Sequence, residues 1–163
     1  MKKSIFVLFL LSCLLFSLTL PAAAAEATAN TDELAVSSVT VEYLDDGSYL
    51  VTTIKESATP RSDVYSKRGG KEIILYNDDD EIQWIYTLYG IFTVETGVSA
   101  VCTEAYHAYE IFDFDWKETE HSEWYSGNVA YGESVFKKKV FFITTSTQEI
   151  TAHVACDAYG GIS

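Results

Sequence analysis

Side chains that alternate between apolar and polar at every second position constrain the fold of this chain more than any other feature. The longest example lies between residues 82 and 94, where one face carries Ile82, Trp84, Tyr86, Leu88, Phe92 and Val94. Tyr, Thr, Val, Ile, Phe and Trp also dominate the segments around it, and these residue types suit a half-buried pleated surface. Because no segment keeps helical periodicity, the pattern predicts an all-β chain.

Turn-forming residues divide this pattern into about nine short strands. Asp45-Asp46-Gly47 is the clearest turn, and it predicts a hairpin between strands over 36–44 and 49–54. The last two strands are predicted over 140–147 and 149–156. Hairpin-linked strands predict an antiparallel β-sandwich of immunoglobulin-like architecture, with a partly open β-barrel as the second choice.

The N-terminal residues, 1–25, are typical of a secretory signal peptide. Lys2 and Lys3 precede an apolar run, and small residues precede the expected cleavage after Ala25. The run is just short of the length that spans a bilayer, so an uncleaved membrane anchor is the weaker alternative. A lipoprotein box at Cys13 is also weaker, because apolar residues follow it. We therefore expect a secreted, extracellular protein with no transmembrane segment after signal removal.

The mature chain is predicted to hold one main domain preceded by smaller parts. Residues 26–35 have the composition of a flexible leader. An N-terminal β-hairpin follows over 36–56, and residues 57–71 combine Ser, Pro, Gly and charges in a predicted linker. The main β-sandwich body then covers 72–163. We expect the hairpin to dock on this body, because an isolated hairpin is marginally stable in water.

The acidic composition narrows the range of partners. The full chain has a net charge of −13, and loss of the two lysines in the signal peptide brings it to −15. Nucleic acid binding requires clustered Lys and Arg that contact phosphates, so it is not expected. Docking on anionic lipid is disfavoured for the same reason. A soluble protein kept apart by self-repulsion fits this charge, and a protein with cationic partners is the weaker alternative.

Two cysteines, Cys102 and Cys156, remain after signal removal and predict one disulfide in an oxidising compartment. A cross-link that closes a loop of this length stabilises a fold by roughly 4 kcal/mol in the chain-entropy model. A shared zinc site with His107 and His153 is not expected. Each histidine lies an odd number of positions from its cysteine, so on a regular strand the two side chains point to opposite faces.

No residues with a catalytic, cofactor-binding or metal-binding pattern stand out in the sequence. Acidic residues are frequent within 104–123, and two of them could form the carboxylate pair of a glycosidase-like hydrolase. Their abundance makes no pair specific, and the nucleophile elbow and the phosphate-binding glycine loop are absent. The acidic run 78–81 could hold calcium, but it lies where a hairpin must turn. His121 stands in a charged stretch and is expected to be exposed.

Aromatic residues stand furthest above an average composition, with eleven Tyr, three Trp and nine Phe. Most are expected in the core and in cross-strand pairs. Trp124 and Tyr125 lie beside one turn and Tyr159 beside another, and these three are the candidate ligand-contact residues. Lys137-Lys138-Lys139, next to an apolar run, is expected to protect a strand edge or a hairpin from aggregation, and a local basic contact point is the weaker alternative.

Several short motifs are spread over most of the mature chain: Asp45-Asp46-Gly47-Ser48-Tyr49, Val51-Thr52-Thr53-Ile54, Tyr76-Asn77, Trp84, Cys102, Trp116, Ser126-Gly127-Asn128 and Cys156-Asp157. Through these motifs the chain resembles a family of small secreted, β-rich bacterial proteins without assigned function. The resemblance implies export and a β-rich fold. It implies no activity, so no functional residue is carried over from that family.

These features favour a non-catalytic binding or interaction module that is secreted or held at the cell surface. Its partner is expected to be a glycan or a protein of the cell envelope, and no cofactor is expected. A secreted hydrolase that uses paired carboxylates within 104–123 is the first alternative. An antagonist peptide or toxin released from a precursor near Arg61 is the second, and it rests only on the predicted linker.

Overall fold

Eight β-strands make up the part of the chain that the computed structural model describes, residues 34–163. The predicted signal peptide with Cys13, and the predicted leader up to residue 33, lie outside the described residues. In chain order the strands are β1 (Ala35–Tyr43), β2 (Tyr49–Glu56), β3 (Val64–Tyr76), β4 (Ile82–Glu95), β5 (Ser99–Ile111), β6 (Trp116–Ser126), β7 (Val129–Val140) and β8 (Ile143–Ala155). Across residues 34–163, no helix is long and apolar enough to cross a bilayer.

The strands form two sheets in which neighbours in sequence are also neighbours in space. Strands β1 to β5 form a five-stranded sheet in chain order, and β6 to β8 form a three-stranded sheet. Every pairing is antiparallel, and the sheets are not closed into a barrel. The predicted all-β sandwich is confirmed. Its likeness to an immunoglobulin domain stays architectural, because two simple meanders lack the Greek-key connections of that fold.

The core lies between the sheets and contains the alternating face that the sequence predicts. Five residues of β4 are fully buried there: Trp84, Tyr86, Leu88, Phe92 and Val94. From the other sheet, the Phe136 ring stacks on the Trp84 ring with centroids 4.4 Å apart. Burial of one large apolar side chain stabilises a fold by roughly 1.5–3 kcal/mol, so this strand supplies much of the hydrophobic stabilisation.

The segment predicted as a linker, 57–71, is a connection only as far as residue 63. Strand β3 begins at Val64 and pairs along the whole of β2, so the N-terminal hairpin and the body share one sheet. The glycines and charged residues of this segment had indicated a flexible connection, but a glycine and a lysine among them have structural roles. A Cβ on Gly69 would come within 2.9 Å of Ile162, and the charge of Lys67 is buried in an ion pair.

The chain reverses at Phe141 and Phe142, inside the segment predicted as a strand over 140–147. Val140 pairs with Ile143, so the two phenylalanines form a two-residue turn, and their φ angles are +48° and +69°. Strand β8 is therefore one continuous strand rather than two. The prediction was wrong because Asn and Gly, not aromatic residues, normally mark such a turn. The three lysines before the turn lie on β7, the central strand of its sheet, and beside the hairpin to β8, so they flank a hairpin and not a sheet edge; their protection against aggregation stays a prediction.

Candidate functional site

Two loops at one end of the sandwich expose a group of apolar side chains that we call the phenylalanine end. Its members are Phe112, Phe114, Phe141, Phe142 and Ile143. Phe114 is 93% exposed, Phe141 91% and Phe142 100%. Single exposed apolar side chains are common on protein surfaces, but rings this fully exposed on neighbouring loops are typical of a contact surface.

Backbone and side-chain contacts hold the two loops together. The Lys139 N–H donates a hydrogen bond to the Asp115 carbonyl oxygen at 2.9 Å. Lys138 Nζ lies 2.8 Å from Asp113 Oδ2. Burial raises the pKa of Asp113, but hydrogen bonds from Lys138 and from the Asp115 N–H outweigh it and leave that pKa below its usual value. The loops therefore present their rings as one unit.

The turn that contains Phe141 and Phe142 is unfavourable by itself. A left-handed conformation costs an L-residue other than Gly roughly 1–2 kcal/mol, and both residues adopt it. Packing does not offset this cost within the described residues, because both rings are almost fully exposed. Strain of this kind is concentrated at functional sites of proteins, which favours a binding role for the turn.

The three aromatic residues predicted as ligand contacts do not form one surface. Trp124 stacks on Tyr131 with ring centroids 5.4 Å apart, on the outer face of the three-stranded sheet. Tyr125, the next residue of β6, points to the other face of that sheet. Tyr159 lies in the C-terminal turn and is mostly exposed. The sequence did not single out the phenylalanine end, where Phe114, Phe141 and Phe142 are more exposed than Trp124 or Tyr125.

A second group of side chains, which we call the histidine–glutamate cluster, lies where the edge strands β5 and β6 face each other. It consists of His107, Glu118, His121 and Glu123. His107 Nε2 lies 3.1 Å from Glu118 Oε1, and His121 Nδ1 lies 3.4 Å from Glu118 Oε2. On the other side of its ring, His107 Nδ1 contacts the Glu123 carboxylate. One imidazole therefore lies between two carboxylates.

A β-bulge on β5 turns His107 toward the core. The pairing with β4 shifts register between Ile91 and Phe92, which leaves Thr103 as the extra residue of β5. Cys102 and His107 therefore share the inner face, although an odd number of positions separates them. The prediction that they point to opposite faces was wrong, because it assumed a regular strand.

A second bulge, on β6, has the same effect on Glu118 and His121. The pairing with β7 shifts register after Glu118, and Thr119 is the extra residue. Glu118 and His121 both face inward as a result, and Glu123 follows at the next inward position. The His121 side chain remains 55% exposed, as the sequence predicts, and gives the cluster access to solvent.

Two more side chains surround the cluster. Ser134 Oγ donates a hydrogen bond to Glu118 Oε1 at 2.6 Å. The Tyr86 ring stacks on the His107 ring with centroids 5.5 Å apart. The Tyr86 hydroxyl is buried and has no hydrogen-bond partner among the described residues. Burial, and then the charges of Glu123 and Glu118, raise the pKa of Tyr86, so this phenol keeps its proton.

Cys102 and Cys156, the predicted disulfide pair, are both buried thiols. The Cys102 N–H donates to the Gly127 carbonyl oxygen at 2.8 Å, and the Cys156 N–H donates to that of Asn128 at 3.1 Å. Both cysteines therefore bond to the turn between β6 and β7, and their cross-link stays a prediction. Burial raises the pKa of Cys102, and it raises that of Cys156 to about 11, so neither thiol is an activated nucleophile.

No protein family, no curated protein and no solved structure matches this chain. The resemblance to a small secreted bacterial family therefore stays an expectation. What the protein does has to be inferred from its own geometry. Two features offer the most: the phenylalanine end, with its exposed rings, and the histidine–glutamate cluster, with its convergent ligand atoms.

Proposed function

We propose that this protein is an exported, non-catalytic binding module that attaches to the lipid surface of a cell envelope through the phenylalanine end. The observation that carries this proposal is the exposure of Phe114, Phe141 and Phe142 on two loops that contact each other. Phe, Trp and Leu form the apolar surface of proteins that bind at the boundary between headgroups and acyl chains. Rings that are this exposed can enter a fluid lipid surface without the matching pocket that a rigid protein partner has to supply.

The charges near this end indicate that the rings, rather than ion pairs, drive the attachment. Lys138 is paired with Asp113, and Lys137 lies 3.6 Å from Glu120, so much of the local basic charge is neutralised. The acidic net charge of the chain disfavours anionic lipid. Binding is therefore expected on zwitterionic vesicles, with little dependence on salt.

The two alternatives raised by the sequence have weaker support. Glu118 and Glu123 come close together within 104–123, but the His107 ring lies between them. A glycosidase needs open space between its two carboxylates for the sugar and a water molecule. Release of a peptide by cleavage near Arg61 is also disfavoured, because β2 stays paired with β3 along its whole length.

Co-sedimentation of the mature chain with phosphatidylcholine vesicles tests the proposal. The parent protein is expected to bind, and Phe141→Asn/Phe142→Gly is expected to weaken binding by at least about 100-fold, because each buried ring contributes roughly 1.5–3 kcal/mol. Asn-Gly is the preferred pair for this turn, so the variant folds at least as well as the parent. Tyr159→Ser, at the opposite end of the sandwich, serves as the matched control and is expected to bind normally. Equal binding by parent and turn variant, or no binding by the parent, rules the proposal out.

A further inference from the structure

We propose that the histidine–glutamate cluster binds one divalent transition-metal ion of the zinc type, with His107, Glu118 and His121 as its protein ligands. Their ligand atoms all lie within 4.8 Å of one another. In a tetrahedral zinc site with bonds of about 2.0–2.1 Å, neighbouring ligand atoms are about 3.3 Å apart. Measured from one carboxylate oxygen, Glu118 Oε2, the distances to His107 Nε2 and to His121 Nδ1 are both 3.4 Å, close to this value. Small side-chain rotations therefore suffice to close the three groups around an ion.

Contacts around the cluster orient these ligand atoms. The Glu123 carboxylate contacts His107 Nδ1, and a carboxylate at that nitrogen favours the tautomer that carries its proton there and leaves the lone pair of Nε2 to bind an ion. Ser134 donates its hydroxyl proton to Glu118 Oε1 and fixes the carboxylate. Outer carboxylate and hydroxyl partners of this kind are typical of metal sites, where their loss lowers metal affinity roughly 10–100-fold.

The Tyr86 hydroxyl is an independent observation that indicates a ligand at this place. It lies against Gly132, where a Cβ would come within van der Waals overlap of it, and Gly132 pairs with Glu123 across the sheet. This hydroxyl is buried and without a hydrogen-bond partner in the described chain, which is unusual for a buried polar group. A zinc site with three protein ligands keeps a fourth position for water, a group that can hydrogen-bond to a phenol.

The charges and atom types of the cluster select the class of ion. Two carboxylates lie around His107, and the Glu118 side chain is only 4% exposed, so the cluster has an excess of negative charge that a divalent cation neutralises. Imidazole nitrogens suit zinc, copper and nickel, whereas calcium and magnesium prefer sets made only of oxygen. We therefore expect zinc to bind and calcium and magnesium not to bind. His121, which is largely exposed, provides the route by which the ion enters.

This site shares no residue with the phenylalanine end, so the two proposals stand or fall separately. The cluster lies between the edge strands β5 and β6, whereas the phenylalanine end lies on the loops that follow β5 and β7. A variant that loses zinc is expected to keep its vesicle binding, and Phe141→Asn/Phe142→Gly is expected to keep its zinc.

Calorimetric titration of the chelator-treated mature chain with zinc chloride tests the inference. One zinc ion per chain is expected, with no binding of calcium or magnesium at the same concentrations. Glu118→Gln and His121→Ala are each expected to weaken zinc binding at least about tenfold. The matched control is His153→Ala, because His153 is an exposed histidine on a different strand, and this variant is expected to bind zinc as the parent does.

Cobalt absorption provides a second readout that depends on the ligands themselves. Cobalt(II) bound to the parent is expected to give a d–d spectrum that changes in His121→Ala, where the exposed position leaves the fold intact, and does not change in His153→Ala. Absence of zinc binding by the parent overturns the inference. An affinity and spectrum in His121→Ala equal to those of the parent, or an equal loss in His153→Ala, also overturns it.

Discussion

Ser134 and Glu118 are joined across the β6–β7 pairing by a 2.6 Å hydrogen bond from the serine hydroxyl to an almost fully buried carboxylate. The same carboxylate lies 3.1 Å from His107 Nε2 on the opposite sheet. A buried charge is tolerated only where it is paired and hydrogen-bonded, so these two contacts together explain how Glu118 can lie between the sheets. Stability of the sandwich edge and geometry of the proposed ion site therefore depend on the same side chains.

Substitution Ser134→Ala is expected to destabilise the fold by roughly 1–3 kcal/mol, because Glu118 loses its hydroxyl donor while it remains buried. Urea unfolding of the metal-free protein, followed by circular dichroism, measures the change. Ser122→Ala, which removes an exposed hydroxyl from the neighbouring strand, is the matched control and is expected to change stability by less than about 0.5 kcal/mol. Equal stability of the two variants would contradict this assignment.

The turn at Phe141 and Phe142 is expected to limit stability. Replacing both residues with Asn-Gly relieves two left-handed conformations and is expected to stabilise the fold by roughly 1–2 kcal/mol. The urea midpoint of the variant measures this gain. The control is Phe141→Ala/Phe142→Ala, which removes the rings but keeps a strained turn and is expected to stay close to the parent. A lower midpoint for the Asn-Gly variant would show that the rings stabilise the folded chain.

Close packing behind the cluster predicts a large effect at Gly132. A Cβ at this position would lie 2.8 Å from Leu88 Cδ1 and closer still to the Tyr86 hydroxyl. Gly132→Ala is therefore expected to destabilise the fold by roughly 1–3 kcal/mol through overpacking. Gly127→Asn is the control: Gly127 has a φ of +59° and open space around it, and Asn tolerates that conformation. Similar unfolding midpoints for both variants would be incompatible with this packing.

Regular strands could be predicted from the sequence because their side chains follow one simple rule. The alternation from Trp84 to Val94 correctly placed these residues in the core, since a buried face repeats at every second position. The turn at residues 45–47 was also correct, because Gly47 takes the positive φ that this turn needs. Local chemistry and tertiary structure agree at these positions.

The candidate sites could not be predicted because each depends on a departure from that rule. Bulges at Thr103 and Thr119 turn His107 on one sheet, and Glu118 and His121 on the other, into the space between the sheets, and nothing in the local sequence marks a bulge. Phenylalanine has a high β-strand propensity, so the sequence predicted a strand at Phe141 and Phe142, where the chain forms a turn. The sequence did contain one usable indication for the neighbouring loop: Phe114 lies between two aspartates, which are turn-forming residues.

The predicted disulfide between Cys102 and Cys156 is expected to form after export. Mass spectrometry of the secreted chain, with thiol labelling in denaturant and no reductant, is expected to detect no free thiol. Reduction is expected to lower stability by roughly 4 kcal/mol, since the cross-link closes a long loop. Two labelled thiols in the secreted protein would contradict the prediction. The variants Cys102→Ser and Cys156→Ser each provide a reference with a single thiol.

In the reduced protein, stability is expected to fall in alkaline solution. Burial, and then the charge of Asp157, raise the pKa of the Cys156 thiol from 9.0 to about 11. The folded state therefore holds this proton more tightly than the unfolded state does. The resulting stabilisation is fully present below the unfolded pKa and is lost as the pH rises from about 9 toward about 11. Tyr86, whose pKa is also raised, adds to the loss at the upper end of this range. Urea midpoints measured with reductant at about pH 8 and about pH 10 are expected to drop further for the parent than for Cys156→Ala, and equal drops would contradict the assignment.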